Sequence, residues 1–452
     1  MKATSDVRAY LVSRITSLKP SFERPPNVLR VLRSLTVKQW MFFTVGYLAW
    51  SWDACDFFSV SLTITELATA FGKSNADITW GLTLVLMFRS VGAIIFGLLG
   101  DRYGRKWPFI TCNILFIILE LGTGFVQTYR QFLAVRALFG ICMGGLYGLA
   151  AATALEDTPA EARGLLSGIF QQGYAFGYLL ATVFARALLP TRYSWRAYFW
   201  FCAAPPVLII IFRLALPEND SFLRGRTVRK SGPDAKNPFA SQAKEAFRRY
   251  WLTALYLMAL MAGMNFMAHG SQDLYPTLLR EQYSFSTNDV TVTQVIANLG
   301  AMAGATASGK AVSAAAFFEQ GCVLGIFGIA PIYLMELAPP AFRTLIVGAS
   351  YQIGNLISSA SPTIEATLGE RFPLDSNGNT DRYNYGLVMC LFMAAVYSYI
   401  IILTLIGPER KGRDISSTVE DTVEVFDGRE CSGMQTAMDP VLEGKGLKND
   451  AV

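Results

Sequence analysis

The stretch "GLLGDRYGRK", residues 97–106, decides the fold of this chain. It has the form G-x-x-x-D-R-x-G-R-K and lies between two long apolar segments. Its glycines, Gly97 and Gly104 among them, permit a tight turn and a close approach of helices. Asp101 is placed to pair with basic groups or to cap the next helix, and Arg102, Arg105 and Lys106 are expected to stay in water. An ordinary basic loop would explain the arginines but not the glycine and aspartate spacing. The stretch reads as a tight joint between two membrane-spanning helices.

Composition agrees. Of 452 residues, 52% are hydrophobic and 16% charged, against about 25% charged in soluble chains. Disordered, collagen-like and nucleic-acid-binding classes are excluded, and a large soluble enzyme is disfavoured. An all-α polytopic membrane protein remains. Apolar segments fall at 40–62, 78–99, 107–126, 132–152, 165–187, 197–214, 251–274, 290–307, 311–334, 345–363 and 385–406. The interval 217–249 holds eight Lys/Arg, and residues 1–38 hold eight against two acids. Basic residues also follow the last segment, at Arg410, Lys411 and Arg413. Lys/Arg placement puts both termini and the central interval in the cytoplasm. The expected division is a tail at 1–38, a six-helix bundle at 39–216, a linker at 217–249, a second bundle at 250–407 and a tail at 408–452. The last tail is mostly acidic and reads as disordered, with Ser416, Ser417 and Thr418 as candidate regulatory sites. No cleavable signal peptide is seen, and the first span should serve as the signal. Cys55, Cys112, Cys142, Cys202, Cys322 and Cys390 lie in apolar stretches without C-x-x-C spacing, so they read as small buried hydrophobes.

An internal repeat relates the two halves. Glu156, Pro159 and Arg163 form E-x-x-P-x-x-x-R, and Glu336, Pro339 and Arg343 repeat it 180 residues later. Gly168 and Gln172 match Gly348 and Gln352 at the same offset. Earlier in the halves the offset is larger, with Asp53 answering to Asn265 212 residues on. The second half is therefore shorter by about 30 residues, roughly one span and a turn. Eleven apolar spans are counted where two equal halves would give twelve, and the shortfall falls near Lys310.

The 97–106 loop and the six-plus-six plan resemble the major facilitator superfamily. Arg136-x-x-x-Gly140-x-x-x-Gly144 is similar to a second motif of that superfamily. The resemblance implies two pseudo-symmetric helical bundles that rock about a central site.

The segment "NFMAHGSQDLYPT", 265–277, holds the one histidine of the chain, His269. With Asn265 at 0°, helical spacing puts His269 at about 40°, Gln272 at about −20°, Asp273 at about 80° and Thr277 at about 120°, while Ser271 points away at about −120°. Intramembrane polar groups are costly, so such a face lines a cavity or glues helices together. Pro276 weakens the helix there. The segment resembles the signature N-x-x-[S/T]-H-x-[S/T]-Q-D-x-x-x-T of the fungal Jen-type lactate and pyruvate permeases, with Asn265, His269, Ser271, Gln272, Asp273 and Thr277 matching and Ala268 departing. "WDACDFF" (52–58) and "SYQIGNLISSASPTIEATLGERFP" (350–373) also look like this family, and the likeness covers about residues 25–410. It implies proton-coupled uptake of short monocarboxylates (lactate, pyruvate, acetate), with dicarboxylates as the wider class, across the plasma membrane. The shortening near Lys310 departs from that family.

Buried charge points to the same chemistry. Asp53, Asp56, Glu120, Asp273 and Glu319 lie in or near apolar spans, opposed there only by Arg89 and Arg136. Excess intramembrane carboxyls suit proton coupling, through Asp53, Asp56, Glu120, Asp273 or His269. Simple pairing of Arg89 with Asp53 or Glu120 is the alternative for each, and Arg136, on a glycine stripe, reads as structural. Donors for an anionic substrate come from Arg89, His269, Asn265, Gln352 and Gln172. There is no Walker loop, no G-x-S-x-G and no His-based metal set, so no enzyme, cofactor or metal is expected. The expected partners are a small carboxylate anion, a proton and the lipid bilayer, with a monomeric chain and no nucleic acid. The rival readings are a carrier of another solute of the same superfamily and a transport-inactive shortened homologue or sensor.

Overall fold

The computed structural model describes residues 28–73, 75–231, 239–272, 275, 278–303, 311–339, 342–361, 364–365, 368, 372 and 384–408. Lys310, Asp273, Thr277, Pro276 and the C-terminal tail with Ser416, Ser417 and Thr418 lie outside the described residues.

All described regular structure is helical. A short helix α1 (Val28–Ser34) leads into α2 (Val37–Ser61), whose N-terminus is closed by a reciprocal Thr36–Gln39 cap. There follow α3 (Ile64–Phe71), α4 (Asn75–Tyr103), α5 (Lys106–Phe125) and α6 (Tyr129–Leu155), the last opened by an equivalent Thr128–Gln131 cap. Then come α7 (Ala160–Leu188), α8 (Trp195–Cys202), α9 (Pro205–Ala215) and α10 (Asp220–Ser231). The second half holds α11 (Phe239–Gln272), a π-helical turn (Leu278–Gln282), α12 (Thr287–Ala303), α13 (Ala311–Phe327), α14 (Ala330–Leu337), α15 (Arg343–Ser358) and α16 (Tyr385–Ile406).

Each apolar segment read from the sequence contains a helix, and two of them are broken. The 197–214 segment splits into α8 and α9 because Pro205 takes the first position of α9, where its missing N–H is harmless. The 311–334 segment splits at Gly328 and Ile329, ahead of Pro331 near the start of α14. Seven helical stretches among the described residues are long and apolar enough to cross a membrane by themselves. The buried α2 and α7 carry Asp53, Asp56, Gln171 and Gln172, so they depend on neighbours for cover.

Glycines set the closest helix crossings. A side chain on Gly92, Gly140 or Gly144 would collide with the backbone of Ile141, Val85 or Arg89 across the α4–α6 seam. Only the lack of a Cβ lets these two helices approach so nearly. The halves meet through two further glycine contacts. On α6, a Cβ at Gly148 would stand 3.1 Å from the Cα of Gly348 on α15. Between α13 and α14, a Cβ at Gly328 would stand 3.0 Å from the Cα of Gly168 on α7. Gly148 and Gly328, like Gly168 and Gly348, are 180 residues apart, so both contacts obey the sequence repeat.

Gly144→Val should therefore lower the stability of the purified protein in detergent by about 3 kcal/mol, through overpacking against the Arg89 backbone. Gly122→Ala, at a position with open space around it, should leave the thermal midpoint unchanged. Equal midpoints for both variants would refute the close-packed α4–α6 seam.

Candidate functional site

The 97–106 loop binds α15 of the second half. Asp101, at the end of α4, accepts the backbone N–H groups of Thr344 (3.1 Å) and Leu345 (2.9 Å). An anion there satisfies donors that the first turn of α15 leaves open. Asp101 thus caps not the next helix, as its sequence position suggested, but one 243 residues away. Gly97 makes this possible, because any side chain on it would press into Leu345.

Arg105 also differs from expectation. It is buried at 3% exposure and forms a two-pronged pair with Glu156, at 3.1 and 2.9 Å. It lies 3.4 Å from Asp101, and Arg343 approaches Glu156 at 3.8 Å. Burial would lower the pKa of the Arg105 guanidinium, but Glu156 and Asp101 outweigh it and hold the pKa above its ordinary value. Arg102 is the one arginine of the loop that faces outward, against the ring of Tyr103. Lys106 donates to the carbonyls of Leu214 and Leu216. Glu218 accepts the N–H groups of Arg105 and Lys106 and so caps α5. Gly104 has φ +104°, and a Cβ on it would meet that same Glu218 carboxylate.

Deeper in the first half, five charged side chains are buried together. Asp53 and Asp56 come from α2, Arg89 from α4, Glu120 from α5 and Arg136 from α6. Arg89 stands 3.7 Å from Asp53. Glu120 pairs instead with Arg136, at 3.1 Å. Of the two partners the sequence left open for Arg89, the structure selects Asp53. Arg136 is no bystander on a glycine stripe, since it neutralises Glu120 between the rings of Phe139 and Phe199. Three acids thus share two guanidiniums. Asp56, nearest to Glu120, Asp53 and Arg136, is the acid left over, and neither of its oxygens has a hydrogen-bond partner among the described residues.

The central layer joins the halves. Tyr351 of α15 stacks on Tyr147 of α6 with ring centroids 3.9 Å apart, and Trp50 of α2 meets both rings edge-on. Tyr351 lies beside Arg89, Gln171 and Asn355. Its carbonyl accepts from Asn265 of α11 at 3.4 Å. Gln352 is fully buried, accepts from Asn355 at 3.1 Å, and keeps its own amide Nε2 without a partner among the described residues. Arg89 Nε is likewise unpartnered. Two buried donors are thus left open among the described residues, Nε of Arg89, which lies near Tyr351, and Nε2 of Gln352, the next residue in the chain, and a small acceptor would satisfy either.

The 265–272 segment divides between two helices. Asn265 faces α15, while Ser271 and Gln272 both bond Gln320 of α13, at 3.3 and 2.6 Å. Ser271, on a different azimuth of α11, still shares Gln320 with Gln272, because α13 packs against that side of the helix. His269 is half-buried between these groups. Gln171, not Gln172, is the buried glutamine of α7 that lies beside Tyr351, and Gln172 is half-buried. Sequence reasoning missed Gln320, Asn355, Tyr351 and Glu156 as site residues. Glu156 had a signal, as the first residue of the repeated E-x-x-P-x-x-x-R. Gln320 had none, because a lone glutamine in an apolar run has no pattern.

Comparison with known proteins follows this geometry. Residues 27–308 match the profile of the family described as "Sugar (and other) transporter". The "Carboxylic acid transporter protein homolog" of Saccharomyces cerevisiae is 38% identical over 469 aligned positions, which take in 92% of this chain and 76% of the relative. The "Probable 4-methylmuconolactone transporter" of Cupriavidus pinatubonensis is 24% identical, covering 84% of this chain and 92% of its own. Among solved structures, the proton:xylose symporter XylE bound to 6-bromo-6-deoxy-D-glucose superposes with a TM-score of 0.64 at 18% identity, covering 84% of this chain and 98% of that one. These relatives are transport proteins, and the solved structure carries the same fold of two helical bundles.

Removing one member of the inner pair tests the charge arrangement. Arg136→Leu should lower stability by about 3–5 kcal/mol, because Glu120 is then buried without its partner. The double variant Arg136→Leu/Glu120→Leu should recover most of that loss in a thermal-unfolding series. A double variant as unstable as the single would show that the two residues do not act as a pair.

Proposed function

The chain belongs to the sugar (and other) transporter family of the major facilitator fold, and we propose that it carries a short-chain monocarboxylate into the cell together with a proton. The observation that carries this reading is two buried donors, Arg89 Nε near Tyr351 and Nε2 of the adjoining Gln352, that have no hydrogen-bond partner among the described residues. A carboxylate is the small acceptor that satisfies a guanidinium and an amide together. The likeness to the yeast relative, whose name specifies carboxylic acids, supports the same substrate class.

In the proposed cycle the substrate carboxylate binds Arg89 and Gln352 and competes with Asp53 for the guanidinium. Asp53 then loses its countercharge. A proton taken up by the Asp53–Asp56–Glu120 group restores neutrality, and an uncharged centre can be enclosed more readily than a charged one. The Tyr147–Tyr351 stack and the two Gly–Gly contacts must part for release on the side of the 97–106 loop. Asp101 and Arg105 hold that side shut here. His269, Ser271 and Gln272 with Gln320 extend the donor-rich path along α11. We place the protein in the plasma membrane; the Lys/Arg placement favours two cytoplasmic tails, which eleven apolar segments permit when one of them does not cross.

A transporter of another solute of the family would keep the loop and its latch but would not need the orphan donors beside Tyr351. In cells lacking other carboxylate carriers, labelled lactate uptake should alkalinise the medium and fall as external pH rises toward about 8, since fewer carboxyls or histidines then hold a proton. Arg89→Gln and Gln352→Leu should each reduce uptake by about tenfold or more at unchanged surface expression, one lost charged hydrogen bond being worth roughly 1.5–3 kcal/mol. Asp56→Asn should leave exchange of lactate across the membrane but abolish accumulation and the pH dependence. Wild-type uptake by both donor variants would overturn the carboxylate assignment, and pH-independent accumulation would overturn the coupling.

A further inference from the structure

We propose that the face of α13 bearing Glu319 and Cys322 is a docking seam for a separate transmembrane helix that carries a basic side chain opposite Glu319. The inference starts from the internal repeat, which the structure extends to tertiary contacts. Helix α6 answers to α13 and α14, and α7 answers to α15. The Gly148–Gly348 and Gly328–Gly168 contacts are the same contact made twice.

The neighbours of α6 can then be sought around α13. Helix α6 packs along α4, α2, α5 and, from the other half, α15. Helix α13 has α12 in the place of α4, α11 in the place of α2, and α7 in the place of α15. Among the described residues no helix runs along it in the place of α5. Among the described residues the same helix is wanting beside α16. Its counterparts α8 and α9 both pack on α5, whereas α16 packs chiefly on α11.

The residues of the seam agree. On α6, Phe139 stacks on Phe116 of α5 at 5.0 Å, Cys142 lies beside Cys112 of α5, and Arg136 pairs with Glu120 of α5. These are the side chains by which α6 grips α5. The residues 180 further on are Glu319 for Phe139, Cys322 for Cys142 and Ala316 for Arg136. Cys142 is 5% exposed, whereas Cys322 is exposed. Glu319 is half-buried near Tyr275 and Tyr397, and no Lys or Arg pairs with it among the described residues. A carboxyl thus stands one helical turn from the place where the first half sets its arginine, on a face that the first half covers with a helix.

Charge chooses the occupant. In the first half this seam is closed by an acid and a base on opposite helices. Here the acid is on α13, so the base belongs to the incoming helix. A second copy of the chain would bring one Glu319 against another, which repels. The family profile stops at residue 308, just ahead of α13.

The test uses the full chain with Cys390→Ser and Cys431→Ser, reconstituted in phosphatidylcholine vesicles. The probe is a Leu/Ala peptide of about 24 residues, long enough to span, with a central Arg and a Cys one turn to either side of it. Copper-phenanthroline oxidation should join the peptide to Cys322. The yield should fall by about fivefold when Leu replaces the peptide's Arg and by a similar factor in Glu319→Leu, in line with interhelical polar contacts in bilayers. Size-exclusion elution shows whether Glu319→Leu is folded, and Glu319→Gln, which keeps an acceptor, should give an intermediate yield. Equal yields with the Arg and Leu peptides, absence of the cross-link, or a dominant Cys322–Cys322 dimer would each overturn the proposal. The reading does not pass through transport, so loss of lactate uptake cannot mimic its failure.

Discussion

The closed end of the molecule depends on one carboxylate set against one helix N-terminus. Asp101 takes two backbone donors of α15, and Arg105, Glu156 and Arg343 complete a ring of charge around the same turn. Such a contact contributes up to about 2 kcal/mol when partly buried. Its importance lies in being made between the halves. The same device recurs within the first half, where Glu218 caps α5 and Asp157 caps α10 through the N–H groups of Asp220 and Ser221. Those two caps hold parts of one half together. Asp101 holds the other half and has to let go whenever the halves move apart. When it does, its charge and those of Arg105 and Glu156 regain water. Hydration then offsets much of the lost pairing, and a strong-looking latch becomes reversible.

A different constraint governs the centre. Charges inside a bundle must be paired or neutralised. The first half meets this with two ion pairs and has one acid to spare. The second half adds neutral amides, Asn265, Gln272, Gln320, Gln352 and Asn355, joined to one another or to backbone, and buries the carboxyl of Glu365 beside them near Gly270. Tyr351 stands between the ion pairs of the first half and the amides of the second. On the carboxylate reading proposed above, an anion that engages both would couple the charge state of one to the position of the other.

The sequence by itself determined the class and the symmetry. Low charge and long apolar runs leave a chain few alternatives to membrane helices, since unpaired backbone in lipid costs several kcal/mol per group. The repeated E-x-x-P-x-x-x-R was legible because both copies sit at the same joint, under the same steric demands. The 97–106 loop was legible as a device, through glycines that only close packing would require. What each charged group touches was not legible. Helical projection orders residues around one axis but is silent on which neighbour lies at each azimuth. Ser271, projected away from its companions, lands on Gln320 because α13 packs there. Asp101 caps α15 because two helices distant in the chain cross at Gly97, and Arg89 pairs with Asp53, not Glu120, because Arg136 reaches Glu120 first. Periodicity along a chain is a local property that sterics impose residue by residue. The pairing of buried charge is settled by distances of a few ångströms between helices, and only the tertiary packing sets those.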